Sequence, residues 1–369
     1  MKYDNDERVV LTLDAGGTNF VFSAIQKNEE IVEPVTLPSN ADDLTKCLNN
    51  IIDGFSQVKA KLKTSPSAIS FAFPGPVEYT VGIIGDLANL PAFRGGIALG
   101  PMLEEKFKLP VFINNDGDLF AYGEAIAGFL PFVNNLLKEA GSPKRYNNIV
   151  GITLGTGFGA GIVRNSELYI GDNSCGGEIW LLRNKLNPKT NAEEGASIRA
   201  VQRAYAKVAG VQLDNSLSPK DIYDIGLGKK AGNKEAALEA YRQLGESVGD
   251  SLSQVITLLD GLIVIGGGIA GASDLFMPAL IDEMNGTYES HAGVKFPRLA
   301  LKTYNVEDKD QLKKFLQGNK TEITVPFSDS KMLYDPQKRI GVGISKLGTS
   351  KAVAIGASSY ALQKLDKKK

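Results

Sequence analysis

The chain has 369 residues, of which 43% are apolar and 22% charged, and its formal net charge is −1. That length is uncomfortable for one hydrophobic core, and the near-neutral balance gives no general pull toward nucleic acid or an anionic membrane. One histidine, His291, and two isolated cysteines, Cys47 and Cys175, exclude a disulfide framework and the usual Cys/His structural zinc site.

In chain order, Val9-Val10-Leu11-Thr12-Leu13 predicts a buried strand and Asp14-Ala15-Gly16-Gly17-Thr18-Asn19 a turn. Phe20-Val21-Phe22-Ser23-Ala24-Ile25 then predicts a second strand, making a hairpin with a glycine-rich tip. Leu44, Leu48, Ile51, Ile52, Phe55, Val58 and Leu62 recur at helical spacing and predict a helix of about five turns. A strand over 68–73 is stopped by Pro74-Gly75-Pro76, since proline removes a ladder donor. A short strand over 111–113 ends at Asn114-Asn115-Asp116, and 119–127 predicts a helix. Alternating strands and helices indicate an α/β class.

Over 129–145 the pattern loosens around Pro131, Gly141 and Pro143, and a lobe boundary is expected there. Residues 1–130 with a closing helix over 353–369 would form a smaller lobe, and 131–352 a larger one. The larger lobe opens with a strand over 149–154, the tip Gly155-Thr156-Gly157-Phe158-Gly159-Ala160-Gly161, and the strand Ile162-Val163-Arg164. This repeats the plan of the first hairpin and suggests duplication. A helix over 235–259, a strand over 262–265 feeding Gly266-Gly267-Gly268, and a helix over 274–284 follow. The charged stretch 297–348 predicts irregular strands and turns, without a functional account. No apolar run approaches the ~20 residues of a membrane-spanning helix, and a reducing cytoplasm suits two lone cysteines.

Three glycine-rich segments carry the chemical signal. Backbone N–H groups bind phosphate oxygens, and glycine lets them approach closely. Gly16, Gly17, Thr18 and Asn19 offer such a tip, with Asp14 at the strand end placed to hold a Mg²⁺-bound water. Gly155, Thr156 and Gly157 offer the same, and Gly266, Gly267 and Gly268 lie where a helix start faces a nucleotide. A hairpin Gly-Gly alone is more often just a turn. No P-loop pattern is present. Two such tips and a strand–helix junction, in this order, predict a two-lobed clamp with ATP in its cleft.

Between the tips lie Gly75, Asn89, Asn115 and Asp116. Asparagines supply donors and acceptors for sugar hydroxyls. Asp116, ending a strand and opening a helix, is placed to accept the proton of an attacking hydroxyl; Asp116 or Asn115 could equally cap that helix. Glu178, Glu193 and Glu194 are further carboxylate candidates, with Glu194 read as surface charge.

Together these residues resemble the ROK family of sugar kinases and repressors, in the sugar-kinase/Hsp70/actin superfamily. Asp14-Ala15-Gly16-Gly17-Thr18-Asn19 and Leu154-Gly155-Thr156-Gly157-Phe158-Gly159 look like its phosphate motifs. Ile265-Gly266-Gly267-Gly268 resembles the adenosine motif, and Asn115-Asp116-Gly117-Asp118 followed by Gly123-Glu124 the catalytic segment. Phe73-Pro74-Gly75-Pro76-Val77 and Asn89-Leu90-Pro91 resemble the sugar loops. The resemblance implies a two-lobed actin-like, ribonuclease H-like ATPase fold and transfer of the γ-phosphate of MgATP to the 6-hydroxyl of a hexose such as glucose. It implies Asp116 as base, with Gly75, Asn89, Asn115, Glu178 and Glu193 on the sugar, and a homodimer. Many members have a histidine three residues after the glutamate, which binds zinc and sugar; Leu181 stands there, and Leu186-Asn187-Pro188-Lys189-Thr190-Asn191-Ala192 replaces the cysteine-rich zinc segment. No zinc is therefore expected, and the loss of a sugar contact leaves the sugar open: an N-acetylated hexosamine or another hexose is the alternative. A sugar-binding regulator without kinase activity is weighed against retained Asp14, Thr18 and Asp116. A DNA-binding repressor is weighed against the eight residues before the first strand.

Overall fold

The computed structural model describes residues 2–75, 77–87 and 90–367. In chain order its elements are β1 (Val10–Ala15), β2 (Asn19–Gln26), β3 (Glu29–Glu30), β4 (Val35–Pro38), α1 (Leu44–Lys61), β5 (Ala68–Ala72), β6 (Val77–Glu78), β7 (Ile83–Ile84), α2 (Leu99–Phe107), β8 (Val111–Asn114), α3 (Asp116–Ile126) and α4 (Phe129–Glu139). Then come β9 (Asn148–Leu154), β10 (Phe158–Arg164), β11 (Glu167–Tyr169), α5 (Ile198–Ala209), α6 (Pro219–Gly226), α7 (Lys234–Leu259), β12 (Leu262–Gly266) and α8 (Ser273–Met284). The chain finishes with β13 (Thr287–Glu289), β14 (Lys295–Pro297), β15 (Lys302–Asn305), α9 (Lys309–Gln317), β16 (Thr321–Thr324), β17 (Lys331–Tyr334), β18 (Arg339–Ile344) and α10 (Thr349–Lys367).

The chain divides into two compact units. Unit 1 takes Met1–Pro131, Gly161–Gly177 and Lys346–Lys369, and unit 2 takes Phe132–Ala160 and Glu178–Ser345.

In unit 1 the sheet runs β3-β2-β1-β5-β8, with β4 on β2. β1 and β2 are an antiparallel hairpin with Asp14 opposite Val21 and Ala15 opposite Phe20. β1, β5 and β8 are parallel, so their carboxyl ends share one edge. α1 is capped by Asp43, whose side chain accepts from the Lys46 N–H, and it buries Cys47, Ile51, Phe55 and Val58 against the sheet. The apolar spacing read from the sequence is the buried stripe of this helix. Phe55 meets Phe22 edge to face with centroids 5.1 Å apart, and Phe71 at 5.8 Å. Each fully buried phenylalanine contributes roughly 1.5–3 kcal/mol by area. Gly117 to Ile126 of α3 are buried without exception, which is possible because α10 packs along it.

Unit 2 repeats the plan. Its sheet runs β10-β9-β12-β18-β15, and β11 pairs with residues 162–164 at the end of β10. β9, β12, β18 and β15 are parallel. α7 buries Ala236, Ala240, Leu244, Val248, Leu252 and Ile256, one residue every turn, in the large core of this unit.

Two segments differ from the sequence reading. Residues 129–139 are helical although Pro131 argued for a loop: Pro131 stands in the first turn of α4, where its missing N–H has no intrahelical partner to lose. Residues 297–348 hold the expected strands and, beyond the sequence reading, the helix α9. β15 and β18 extend the second sheet, and α9 covers them with its one buried residue, Phe315. Arg339, at the start of β18 in this charged stretch, is sealed inside: its guanidinium pairs with Asp335 at 2.6 Å and donates to the Phe315 carbonyl, with the Arg339 and Asp335 side chains 0% and 1% exposed. β16 and β17 form a separate exposed hairpin. Among the described residues no helix is long and apolar enough to cross a membrane.

Candidate functional site

In unit 1 the candidate residues collect at the carboxyl edge of β1, β5 and β8, the edge at which α/β sheets bind ligands. Asp14 lies at the end of β1, and Gly75 follows the end of β5. Asn115 and Asp116 follow β8, and the Phe73 N–H donates to the Asn114 carbonyl at 3.0 Å, which ties the two exits together. Asn89 and Pro76 lie outside the described residues.

The first tip is shaped for anions. The Gly16 N–H donates to the Asn19 carbonyl at 3.1 Å, closing the turn. Ser39 holds the far side: its N–H donates to the Thr18 carbonyl at 2.9 Å and its hydroxyl to the Gly17 carbonyl at 2.6 Å. With those carbonyls committed, the exposed tip has N–H groups and the Thr18 hydroxyl to offer a ligand.

The capping question at α3 divides between the two residues. Asn115 is the N-cap, its side-chain oxygen accepting from the Gly117 N–H at 2.8 Å. Asp116 is the first helical residue; its Oδ1 also lies 2.8 Å from that N–H. Asp116 is exposed, whereas every later residue of α3 is buried. An acidic group at this position is also favoured by the helix dipole. The Asp14 residue is open to solvent on one side, yet crowding of its carboxyl and, second, the negative charge of Asp116 raise it above the ordinary carboxylate value. A carboxyl raised by crowding and by a neighbouring carboxylate is a fitting place for a divalent cation.

In unit 2 the second and third glycine segments come together. β9 and β12 are neighbours with Gly266 opposite Thr153, so both loops leave the same sheet edge. Gly267 has φ +86°, and a methyl group on it would stand 2.3 Å from the Leu154 carbonyl. Only glycine permits both the left-handed backbone and that approach. The tip itself is closed by the Gly155 N–H on the Gly157 carbonyl at 3.0 Å.

Glu193 is built into this tip. Its Oε2 accepts from the Phe158 N–H at 3.2 Å, and its Oε1 pairs with Arg199 at 3.0 Å. Glu194 is not bare surface charge, since it pairs with Arg203 at 2.6 Å. The sequence reading named neither arginine, because two arginines on an amphipathic helix look like any solvated face. Glu178 is exposed at the entry of a 3-10 turn, Ile179–Leu181, and accepts a hydrogen bond from the Trp180 indole. Leu181 is 58% exposed. Among the described residues no group of three or more His, Cys, Asp or Glu side chains is arranged to hold a metal ion.

Comparison with known proteins identifies the family. The ROK family model matches residues 10–297. A crystal structure of glucokinase from Parabacteroides distasonis is 53% identical and superposes with a TM-score of 0.90, covering 98% of this chain and 99% of that one. Among curated sequences, a glucokinase of Halalkalibacterium halodurans is 27% identical over 80% of this chain and 88% of its own length. An N-acetyl-D-glucosamine kinase of Vibrio cholerae is 26% identical over 70% and 83%. The fold is the two-lobed actin-like ATPase fold of the ROK kinases, and the chain belongs to the ROK family.

Proposed function

We propose that this protein is an ATP-dependent sugar kinase that transfers the γ-phosphate to the 6-hydroxyl of glucose, with Asp116 as general base. The observation that carries the reading is the exposed Asp116 carboxylate at the head of the buried helix α3, on the same sheet edge as Asp14 and the Gly16-Gly17-Thr18 tip. A hydroxyl oxygen attacking the γ-phosphorus forms one P–O bond as the bond to ADP breaks, and Asp116 accepts the hydroxyl proton. A carboxylate on a rigid helix start is held ready for that task.

Phosphate contacts are assigned to Gly16, Gly17, Thr18 and Asn19 and to Gly155, Thr156 and Gly157, and the adenosine side to Gly266, Gly267 and Gly268. Mg²⁺ arriving with ATP would neutralise phosphate charge, and Asp14, whose carboxyl is raised by burial and by Asp116, suits that cation. Gly75, Asn89, Asn115, Glu178 and Glu193 are the proposed sugar contacts. A carboxylate has about four lone-pair sites, so Glu193 keeps room for a hydroxyl beside the Phe158 N–H and Arg199. Zinc has no part in this reading, which rests on one histidine, two cysteines and Leu181. A cytoplasmic homodimer without nucleic-acid or membrane partners completes the proposal.

The test is ADP release coupled to a reporter across glucose, mannose, fructose, N-acetylglucosamine and N-acetylmannosamine. Glucose is expected to give the highest kcat/KM. ADP release that no sugar stimulates would overturn the kinase reading, and preference for an N-acetylated hexosamine would correct the substrate.

A further inference from the structure

We infer that Trp180 is a positioning residue that fixes the Glu178 carboxylate for the sugar, an inference resting on Glu178 as a sugar ligand. Four consecutive residues divide sharply here. Ile179 is 3% exposed in the core of unit 2, and the Trp180 ring packs against the same core. Glu178 and Leu181 point outward. The turn is closed by N–H groups of Leu181 and Leu182 on the carbonyls of Glu178 and Ile179, at 3.1 Å each.

An exposed glutamate samples many rotamers, and ordering it on a ligand costs up to roughly 2 kcal/mol. Here the indole Nε1–H of Trp180 donates to Glu178 Oε2. The ring has only two side-chain torsions and is wedged against the core, so it brings a fixed donor to the carboxylate. Indole nitrogen donates and never accepts, so the direction of this bond cannot reverse. One oxygen is thereby held, while Oε1 retains its lone pairs for a sugar hydroxyl. The neighbouring exposed side chain, Leu181, has no polar atom with which to compete. The cost of ordering Glu178 is met before the sugar arrives, which is preorganisation. Glu178 would grip a part of the sugar away from the reacting hydroxyl, so the effect belongs in KM and not in kcat.

The experiment uses the intact protein and compares wild type, Trp180→Phe, Glu178→Ala and the double variant. Trp180→Phe keeps the ring and deletes the donor. It should raise KM for glucose about tenfold, the scale of one hydrogen bond to a charged group, with kcat within about twofold and KM for ATP unchanged. In the Glu178→Ala background, which has no side-chain acceptor, the same change should add little, because Trp180 acts through that carboxylate. Trp180 is the sole tryptophan. Its emission should therefore shift on titration with glucose in the absence of ATP, and the shift should be lost in Glu178→Ala, a reading that does not depend on the Phe variant folding. Unchanged KM in Trp180→Phe, a full additive effect in the double variant, or emission blind to glucose would overturn the inference. A wild type without turnover on any hexose would overturn the kinase reading and this inference with it; an active wild type with Trp180→Phe unchanged overturns this inference alone.

Discussion

Gly123 of α3 and Gly356 of α10 mark the point where the two helices touch backbone to backbone. A methyl group on Gly356 would stand 1.9 Å from the Leu119 carbonyl and 3.0 Å from the Gly123 nitrogen, and one on Gly123 would stand 2.0 Å from the Ala352 carbonyl. The next residue along α3, Glu124, is fully buried and accepts from the N–H groups of Phe129 at 2.7 Å and Leu347 at 3.2 Å. The helix that begins with Asp116 is therefore clamped along its length by the segment that begins α10. Gly356→Ala should force the helices apart and cost about 1–3 kcal/mol, as overpacking of a tight contact does. A thermal melt should show the loss, and kcat should fall with it because α3 carries Asp116. A melt unchanged from wild type would count against the crossing.

Asp116→Asn removes the proton acceptor and keeps the shape. The kinase reading predicts a fall in kcat of about 10²–10⁴-fold, with glucose affinity little altered. Steady-state kinetics and isothermal titration with glucose check both halves. Turnover near wild type would refute the base assignment.

The raised carboxyl of Asp14 predicts a pH dependence on the nucleotide side. A carboxyl raised in the folded state favours the fold at pH below its pKa and costs stability once ionised, unless a cation relieves it. As pH falls through that raised value, Asp14 takes a proton and loses its use to Mg²⁺, so KM for MgATP should rise. In Asp116→Asn the repelling charge is gone, and the limb should move to lower pH. Binding of a MgATP analogue across pH 4–8 would show the shift; a limb unmoved by that variant contradicts the coupling.

The Arg339–Asp335 pair predicts an acid-sensitive segment in unit 2. Burial works to raise the Asp335 carboxyl, but hydrogen bonds from Arg339 and from the Asn319 and Gln337 N–H groups outweigh it and hold it below the ordinary value. A lowered carboxyl contributes stability above the unfolded pKa, near 4, and that contribution is lost as pH falls through the folded value. Asp335→Asn leaves a buried guanidinium without its counter-charge and should cost about 3–5 kcal/mol at neutral pH. Denaturant melts at pH 7 and pH 3 should show that loss shrinking in acid.

The amino-acid order by itself determined the two glycine-tipped hairpins, α1 with its apolar stripe, and the segment at Asn115 and Asp116. These features are local: strand alternation, helical spacing and glycine clusters are written in neighbouring residues, and the ROK resemblance rests on them. Hidden from the sequence were α4, where Pro131 reads as a breaker until the first turn of a helix is seen around it, and the burial of Arg339 in the charged stretch 297–348, where Asp335 and Phe315 satisfy it. Tertiary structure also decided the work of particular site residues. Asn115 took the helix cap, Glu193 joined the second glycine tip through Phe158, and Trp180 reached back to Glu178. The physical reason is common to all of them. A charge, a proline or a tryptophan has no fixed meaning until the groups that satisfy its hydrogen bonds and cover its surface are known, and those groups lie now two residues away, as for Asn115 and Trp180, and now far along the chain, as for Glu193 and Phe158.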